Sequence, residues 1–571
     1  MPSRGVPPDT DTDTDTDPDH AASGSRSDKL KLPPAVNNNS AKKKPARFWI
    51  IVVALSLLAF VSALDAMIIG TALPRITLSI GADSDAVYVW VANCFVFAAS
   101  ALQPLIGQLA NILGRKPPLI ASIVLFTVGS GVAGGANNSG MFISGRTVQG
   151  IGAGGIYVLI DIVCCDLVPL RERGKYLGLI NAWAGVAAAL GPAVGGALAQ
   201  GDGDRWRWIF WMNIPICGVA LLFIVLFMHV NKSRQTAGMG DLDYFGYLLF
   251  IPSVISLLLG LVTGGIVILP IVLGVVGWAG FHVYEYWFAR NPGVPSRLFG
   301  NRTSATAFAL SFWSSVLLQT AGYFLPVYFQ AVLGTTVLDS GVYFLPFAIG
   351  TLFFAVIGGL ALTKFGAYRP IHVIAFGLGT VGFGLFTLLN EATPRVAWAW
   401  YELVMTMGLG MTVSTILPAI MAGLPEGDVA AATAAFSFIK TFGFVWGVTV
   451  PSIIFNAVFN NNLYRISSDT LRGQLADGGA YSFASRAHDI AGTVDPIVWG
   501  EVVQVYITSL KPIWWFGLGL SAVAMFMVAG EKALHMTTEL ETEYGLDDGG
   551  SGGTKKDMAR EEKGETGSTS I

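Results

Sequence analysis

Between Phe48 and Gly530 the chain alternates long apolar runs with short polar turns. Each run is about 20 residues long, enough for a helix rising ~1.5 Å per residue to cross a ~30 Å hydrocarbon layer. The pattern predicts an all-α polytopic membrane protein with fourteen helices. They are expected near 48–72, 87–109, 117–135, 141–166, 175–198, 208–230, 243–263, 266–288, 304–331, 341–363, 370–390, 396–420, 430–459 and 511–530. Only Thr263-Gly264-Gly265 divides the seventh run from the eighth.

Punctuation inside the runs repeats. Ala72-Leu73-Pro74 returns as Phe324-Leu325-Pro326, Gly107 and Gly114 as Gly359 and Gly366, and Gly191 and Gly195 as Gly443 and Gly447, each 252 positions on. One offset over three motifs points to two copies of a helical bundle, the plan of transporters whose halves rock about a central site. The offset pairs run one with nine, two with ten and five with thirteen, which leaves seven and eight as an insertion. The expected domains are a six-helix bundle over 47–230, two inserted helices with linkers over 231–303, and a second six-helix bundle over 304–530. A long extracellular loop, 460–510, falls inside the last. The flanking segments 1–46, with a low-complexity tract from Asp9 to Asp19, and 531–571 are too polar to bury a core and are expected to be disordered.

Composition narrows the class. Hydrophobic residues make up 53% of the chain and charged residues 13%, about half the charge of a soluble protein. A net charge of -3 and the lack of a basic patch give no reason to expect nucleic acid. Cys94, Cys164, Cys165 and Cys217 fall in or at the ends of apolar runs without metal-ligand spacing, so they read as small buried hydrophobes and no metal is expected. Lys42, Lys43, Lys44 and Arg47 precede the first run. Loops on the same side collect Arg115, Lys116, Arg171, Arg173, Lys175, Lys232, Arg234, Arg290, Arg297, Arg302, Lys364 and Arg369, against Arg75, Arg205, Arg207 and Arg395 in short loops opposite. Positive charge favours the inside, so both termini are expected in the cytoplasm. Asn137-Asn138-Ser139 is then a glycosylation sequon in an outer loop, whereas Asn301-Arg302-Thr303 lies inside.

Three motifs follow one another in the first half. They are Gly107-Gln108-Leu109-Ala110-Asn111-Ile112-Leu113-Gly114-Arg115-Lys116, Arg146-Thr147-Val148-Gln149-Gly150-Ile151-Gly152, and Gly185 followed by Gly191-Pro192-Ala193-Val194-Gly195-Gly196. In this order they resemble the signature motifs of the major facilitator superfamily, the last being the glycine-proline motif associated with antiporters. Leu64-Asp65 with Ala72-Leu73-Pro74-Arg75-Ile76, the segment Trp206-Arg207-Trp208-Ile209-Phe210-Trp211-Met212-Asn213-Ile214-Pro215, and Leu325-Pro326-Val327-Tyr328-Phe329-Gln330 resemble the fourteen-helix drug:proton antiporters of that superfamily. The resemblance covers roughly 48–530 and is strongest to fungal efflux pumps for toxins and secondary metabolites. The family usually has Asp where this chain has Asn111, so a latch thought to join the bundles is expected to be weaker or differently charged here. Met67 and Gly70 also depart from the first-helix signature.

The residues themselves suggest roles. Gly191, Gly195 and Gly196 allow close helix approach and Pro192 frees a carbonyl, which suits either gating or plain helix association. Gly107, Asn111, Gly114, Arg115 and Lys116 form a glycine-bounded turn that reads as a gating latch. Charge inside a span is costly and faces a cavity or a partner. Asp65 and Arg146 come to similar depth on spans one and four, so they are a candidate proton-sensitive pair, or else a permanent structural bridge. Lys440 lies near the middle of span thirteen and is a candidate to bind an acidic substrate group, to pair with Glu402 or to neutralise a polar cavity. Asp161, near an end of span four, reads as solvated. Asn93, Gln103, Gln149, Asn181, Trp183, Gln319, Tyr323, Tyr328, Gln330, Glu402, Lys440 and Trp446 are the candidate substrate-binding residues of an apolar chamber.

These features predict a secondary transporter exporting small amphipathic organic molecules in exchange for protons. It is expected to be monomeric, with no cofactor, in the plasma membrane or alternatively the vacuolar membrane. No Walker-type phosphate loop supports an ATP-driven pump, and no H-E-x-x-H helix or G-x-S-x-G elbow supports an enzyme. A proton-coupled importer, such as a siderophore transporter, and a non-transporting receptor on the same scaffold remain open. The sequon gives a direct check. Endoglycosidase treatment of the full chain from a eukaryotic host should increase its gel mobility, and Asn137→Gln should abolish that shift.

Overall fold

The computed structural model describes residues 44–81, 85–199, 204–229, 238–262, 268–476, 478–484, 486–534 and 536, so most of both expected tails lies outside the described residues. Thirteen helices among the described residues are long and apolar enough to cross a membrane. The first half holds α1 (Ala46–Ser79), α2 (Asp85–Leu113), α3 (Lys116–Gly134), α4 (Ser139–Leu167), α5 (Leu170–Ala199) and α6 (Arg205–Phe227). The insertion holds α7 (Tyr244–Val262) and α8 (Ile268–Trp287). The second half holds α9 (Arg302–Ala331), α10 (Val337–Phe365), α11 (Tyr368–Phe386), α12 (Arg395–Met421), α13 (Val429–Asn462) and α14 (Pro496–Met527). The long helix outside the thirteen is α5, which opens with Arg171, Glu172, Arg173 and Lys175 and continues rich in glycine and alanine.

Neighbour relations obey the repeat. Helix α1 packs on α4, α5 and α6, as α9 packs on α12, α13 and α14. Helix α4 packs on α2 and α3, as α12 does on α10 and α11, and α3 meets α6 as α11 meets α14. The halves join through α2 against α13 and α5 against α10, which are themselves symmetry mates. Inserted helices α7 and α8 pair with each other, and α7 lies against α2 and α13.

The repeated glycines explain how the halves join. Lipid offers no hydrophobic drive between helices, so close backbone approach must supply the attraction. A Cβ on Gly107 in α2 would sit 2.3 Å from the Ala434 Cβ of α13, and one on Gly359 in α10 would sit 2.2 Å from the Gly174 carbonyl oxygen of α5. Within the halves, a Cβ on Gly191 would lie 2.7 Å from the Met67 Cβ of α1, and one on Gly443 2.8 Å from the Ser315 Cβ of α9. Gly114 and Gly366 both adopt positive φ, 82° and 64°. There the chain turns out of α2 and α10 through the left-handed region that glycine enters without penalty. The face at which α1 begins and α14 ends, which carries these turns, is termed the near face.

The structure revises three boundaries. Helix α14 begins at Pro496, not near 511, because Glu501, Gln504 and Lys511 dilute the hydropathy of its first turns and Pro512 sits inside the helix instead of opening it. The segment expected as a loop over 460–510 is thereby shortened, and it folds into short helices Asp469–Leu475, Gly479–Ala484 and Ala487–Ala491. Ile466, Leu475 and Phe483 are buried there, and the Tyr506 hydroxyl of α14 donates to the Ala480 carbonyl at 2.6 Å. The polar tail also starts packed instead of disordered. Glu531 is buried against His372 of α11 at 2.8 Å, and the Lys532 backbone N–H donates to the Thr303 hydroxyl.

Overpacking a tight contact costs about 1–3 kcal/mol, which is a shift of roughly 5- to 150-fold in a two-state equilibrium. Gly359→Val should therefore reduce transport by a factor in that range, in protein that still reaches the membrane. Substrate retention normalised to surface expression measures it; a wild-type rate would show that α5 and α10 need not approach so closely.

Candidate functional site

Four helices of the first half converge on one buried carboxylate. Asp65 of α1 and Arg146 of α4 are 1% and 2% exposed, and the Arg146 Nη1 donates to the Asp65 Oδ2 at 2.5 Å and to the Gln149 Oε1 at 2.6 Å. The Gln149 Nε2 donates to the Asp65 Oδ1 at 2.8 Å and to the Ser130 Oγ of α3 at 2.7 Å. Asn213 of α6 donates to the same Asp65 Oδ1 at 2.8 Å. The Phe95 ring of α2 lies 4.2 Å from the Arg146 guanidinium carbon and adds a cation–π contact. A charge pair withdrawn from water needs this full set of donors, and removing one member of such a pair costs ~3–5 kcal/mol.

The near face carries a second set of polar contacts. The Arg115 Nε donates to the Asp166 Oδ2 of α4 at 2.7 Å, while its Nη1 reaches the Ala110 carbonyl and the Asn111 Oδ1 at 3.1 Å. Asn111 thus still accepts from the arginine, and Asp166 supplies the charge. Lys116 donates to the Val225 carbonyl of α6. These partners all lie in the first half, so they brace that half. The clasp between halves comes instead from the start of α5. Arg171 donates to the carbonyls of Thr363 and Lys364 at 2.8 Å each, and Arg173 reaches Glu426 at 3.2 Å. Sequence reading took both arginines only as positive charge on an inner loop.

Between the halves, Lys440 of α13 is half-buried, its Nζ 5.9 Å from the Phe436 ring. Asp161 lies on α4, which packs on α13, and keeps some open surface. Asn93, Asn181, Gln319 and Trp446 are partly open, and Trp183 is 50% exposed. The Trp446 Nε1 is buried without a partner, and Asn181 donates to the Leu177 carbonyl of its own helix. Tyr323 is open at the far end beside Tyr481, and Gln330 donates to the Ser340 hydroxyl.

Four candidates do not line a chamber. Gln103 is buried and donates to the Thr441 hydroxyl across the α2–α13 seam at 3.2 Å. Gln149 belongs to the Asp65 cluster. Tyr328 is buried and donates to the Asn390 carbonyl, and Glu402 is buried against the start of a helical segment in α10. Gln103, Gln149 and Tyr328 each find a partner inside the protein that the one-dimensional pattern could not name, and Glu402 is held through one carboxylate oxygen. Gly195 is buried in α5, whereas a Cβ on Gly196 would meet nothing within 4 Å, so close approach does not explain that glycine. The Pro192 side chain lies outside the described residues. Asn137 is exposed, its Oδ1 accepting from Arg207 at 3.2 Å.

Comparison with known proteins follows the geometry. A family model of the Major Facilitator Superfamily matches residues 55–448. The MFS efflux transporter aclA of Aspergillus oryzae is 40% identical over 522 residues, covering 89% of this chain and 93% of that protein. The MFS-type efflux pump LUC4 of a Fusarium species is 40% identical over 552 residues, covering 94% and 95%. The solved structure of the human organic anion transporter MFSD10 (TETRAN) aligns at a TM-score of 0.58 with 14% identity, covering 85% of this chain and 100% of that one. A double-tryptophan mutant of XylE aligns at 0.55 with 16% identity, covering 87% and 98%. Identities that low speak for the fold alone. With its twofold helical repeat, its membrane-length helices and these matches over most of its length, the chain belongs to the Major Facilitator Superfamily.

Proposed function

We propose that this chain exports small amphipathic organic molecules in exchange for protons, its two halves opening alternately on the two sides of the membrane. The observation that carries the reading is the buried Asp65–Arg146 pair with its amide donors. Protonating Asp65 removes the charge that holds Arg146, Gln149 and Asn213, and Phe95 remains to cradle the guanidinium. The disturbance has a short route to the gate. Gly191 seats α5 on the backbone of Met67 and Ile68, beside Asp65 on α1. The other end of α5 carries Gly174, Arg171 and Arg173, which close the near face. A proton arriving at Asp65 from the far side thus biases the halves, and substrate leaves as the proton is taken up.

Export is favoured over uptake by the efflux transporters and pumps among the relatives. The near face is taken as cytoplasmic because Arg115, Lys116, Arg171, Arg173, Lys364 and Arg369 gather there. The plasma membrane is the proposed location, with both termini inside. Lys440 and Asp161, on helices of opposite halves that pack together, are proposed to sort substrates by charge, with Asn93, Asn181, Trp183, Gln319 and Trp446 as apolar or hydrogen-bonding walls.

In pump-deleted yeast, the wild type should lower retention of amphipathic compounds, and a protonophore should erase the effect. Asp65→Asn should erase it as well, since the amide keeps the shape but cannot cycle a proton; full protonophore-sensitive export by this variant would sink the reading. Lys440→Ala should weaken export of acidic compounds by about tenfold, the worth of one charged hydrogen bond of ~1.5 kcal/mol, and leave cationic dyes within about twofold. Equal losses for both classes would remove Lys440 from substrate recognition.

A further inference from the structure

Helix α12 carries two buried polar atoms that nothing satisfies. Glu402 is 0% exposed, and its Oε2 accepts the Phe347 backbone N–H at 3.1 Å while its Oε1 has no partner. One turn earlier on the same helix face, Trp398 is 5% exposed and its Nε1 likewise has no partner. A donor and an acceptor left open one turn apart mark a small dry polar site at the far end of the second half.

No cation among the described residues pairs with Glu402. Helix α9 brings Phe329, whose uncharged ring lies 5.0 Å from that of Trp398. Helix α10 brings the Phe347 N–H and Tyr343, and α11 meets this stretch of α12 with Gly382 against Met405. On α12 itself, Tyr401 adjoins, Thr406 donates its hydroxyl to the Glu402 carbonyl, and Arg395 lies seven residues back with its guanidinium 5.2 Å from the Tyr343 ring. Seven residues are ~10 Å of helix rise. Among the described residues Glu402 forms no ion pair. An ionised carboxylate without a counter-charge is the form hydrocarbon tolerates least.

The repeat sharpens the point. Trp398 stands 252 residues after Arg146, and Glu402 the same distance after Gly150. Where the first half has a guanidinium bound to an acid, the second half has a neutral indole N–H one turn from an acid. Glu402 also caps the helical segment that starts at Leu345, just past the break after Tyr343 in α10. The same segment presents Leu352, Ala355 and Gly359 to Gly185, Gly178 and Gly174 of α5.

We propose that Glu402 is a second proton-carrying residue, a neutral carboxylic acid whose deprotonation would alter the capped start of α10 and, through it, the joint with α5. The inference rests on the proton-exchange reading and adds a proton that Asp65 does not supply. The O–H proton of the acid is released to water when the site opens, leaving a carboxylate beside the Phe347 N–H and the Trp398 N–H. The reverse step restores the acid, so charge and protons balance over a cycle.

The first test needs no substrate. Infrared spectra of the purified full chain should contain the C=O stretch of a protonated carboxylic acid that Glu402→Gln removes, and Trp398→Phe should move that band without abolishing it. An unchanged band in Glu402→Gln would overturn the proposal. The second test uses rhodamine 6G in proteoliposomes. Glu402→Gln should still exchange dye down its own gradient, yet accumulate about tenfold less per pH unit imposed, the worth of one coupled proton. Accumulation equal to wild type would leave Glu402 a structural cap only, with the Asp65 reading intact. Accumulation by Asp65→Asn equal to wild type would instead overturn the proton-exchange reading itself.

Discussion

A carboxylate held by a guanidinium and two amides, with almost no exposed surface, fixes how four of the first six helices meet. Neither Asp65 nor Arg146 could stay at that depth without the other, and neither could be satisfied without Gln149 and Asn213. The join is strong when complete and poor when any member changes. That all-or-nothing quality makes it suited to control, because one proton changes the balance of the whole cluster. The glycine seams convey the change. Where backbone touches backbone, as at Gly191 on α1 and Gly359 on α5, no soft side chain absorbs a small displacement.

The two halves share a frame and differ in chemistry. Contacts within each half, and those between them, follow the twofold repeat, and the positive-φ turns at Gly114 and Gly366 match in position. The polar interiors do not match. The first half holds a buried ion pair, and the corresponding region of the second holds Glu402, which has no ion pair among the described residues. Duplication evidently preserved what the backbone needs, while side chains in equivalent registers took separate courses.

Much of this was legible in the sequence because lipid is a strict solvent. Length, apolarity and the rarity of charge mark the helices and single out Asp65 with Arg146. The start of α14 was not legible, since Glu501, Gln504 and Lys511 sit in a helical segment that packs on the short helices and not wholly on lipid. Asn213 and Ser130 gave no signal either, because a neutral polar residue in an apolar run has no unique partner. Gln103, Gln149, Tyr328 and Glu402 were expected to line a chamber and are buried instead, for the same reason. Arg171 grips carbonyl oxygens, which every residue offers, so no pattern could name its partners.

The clasp at the start of α5 has a further consequence. Arg171 and Arg173, two residues apart, hold different parts of the opposite half, α10 on one side and Glu426 before α13 on the other. Attachment at two points fixes a rotation as well as a distance, so α5 cannot swivel partly open about a single tether. Half-released intermediates must lose one grip while the other resists, and they are correspondingly rare. An exchanger that passes through such intermediates seldom offers both sides of the membrane a shared water path. On the proton-exchange reading, the paired arginines would act against leak, keeping the ion gradient for work that moves cargo.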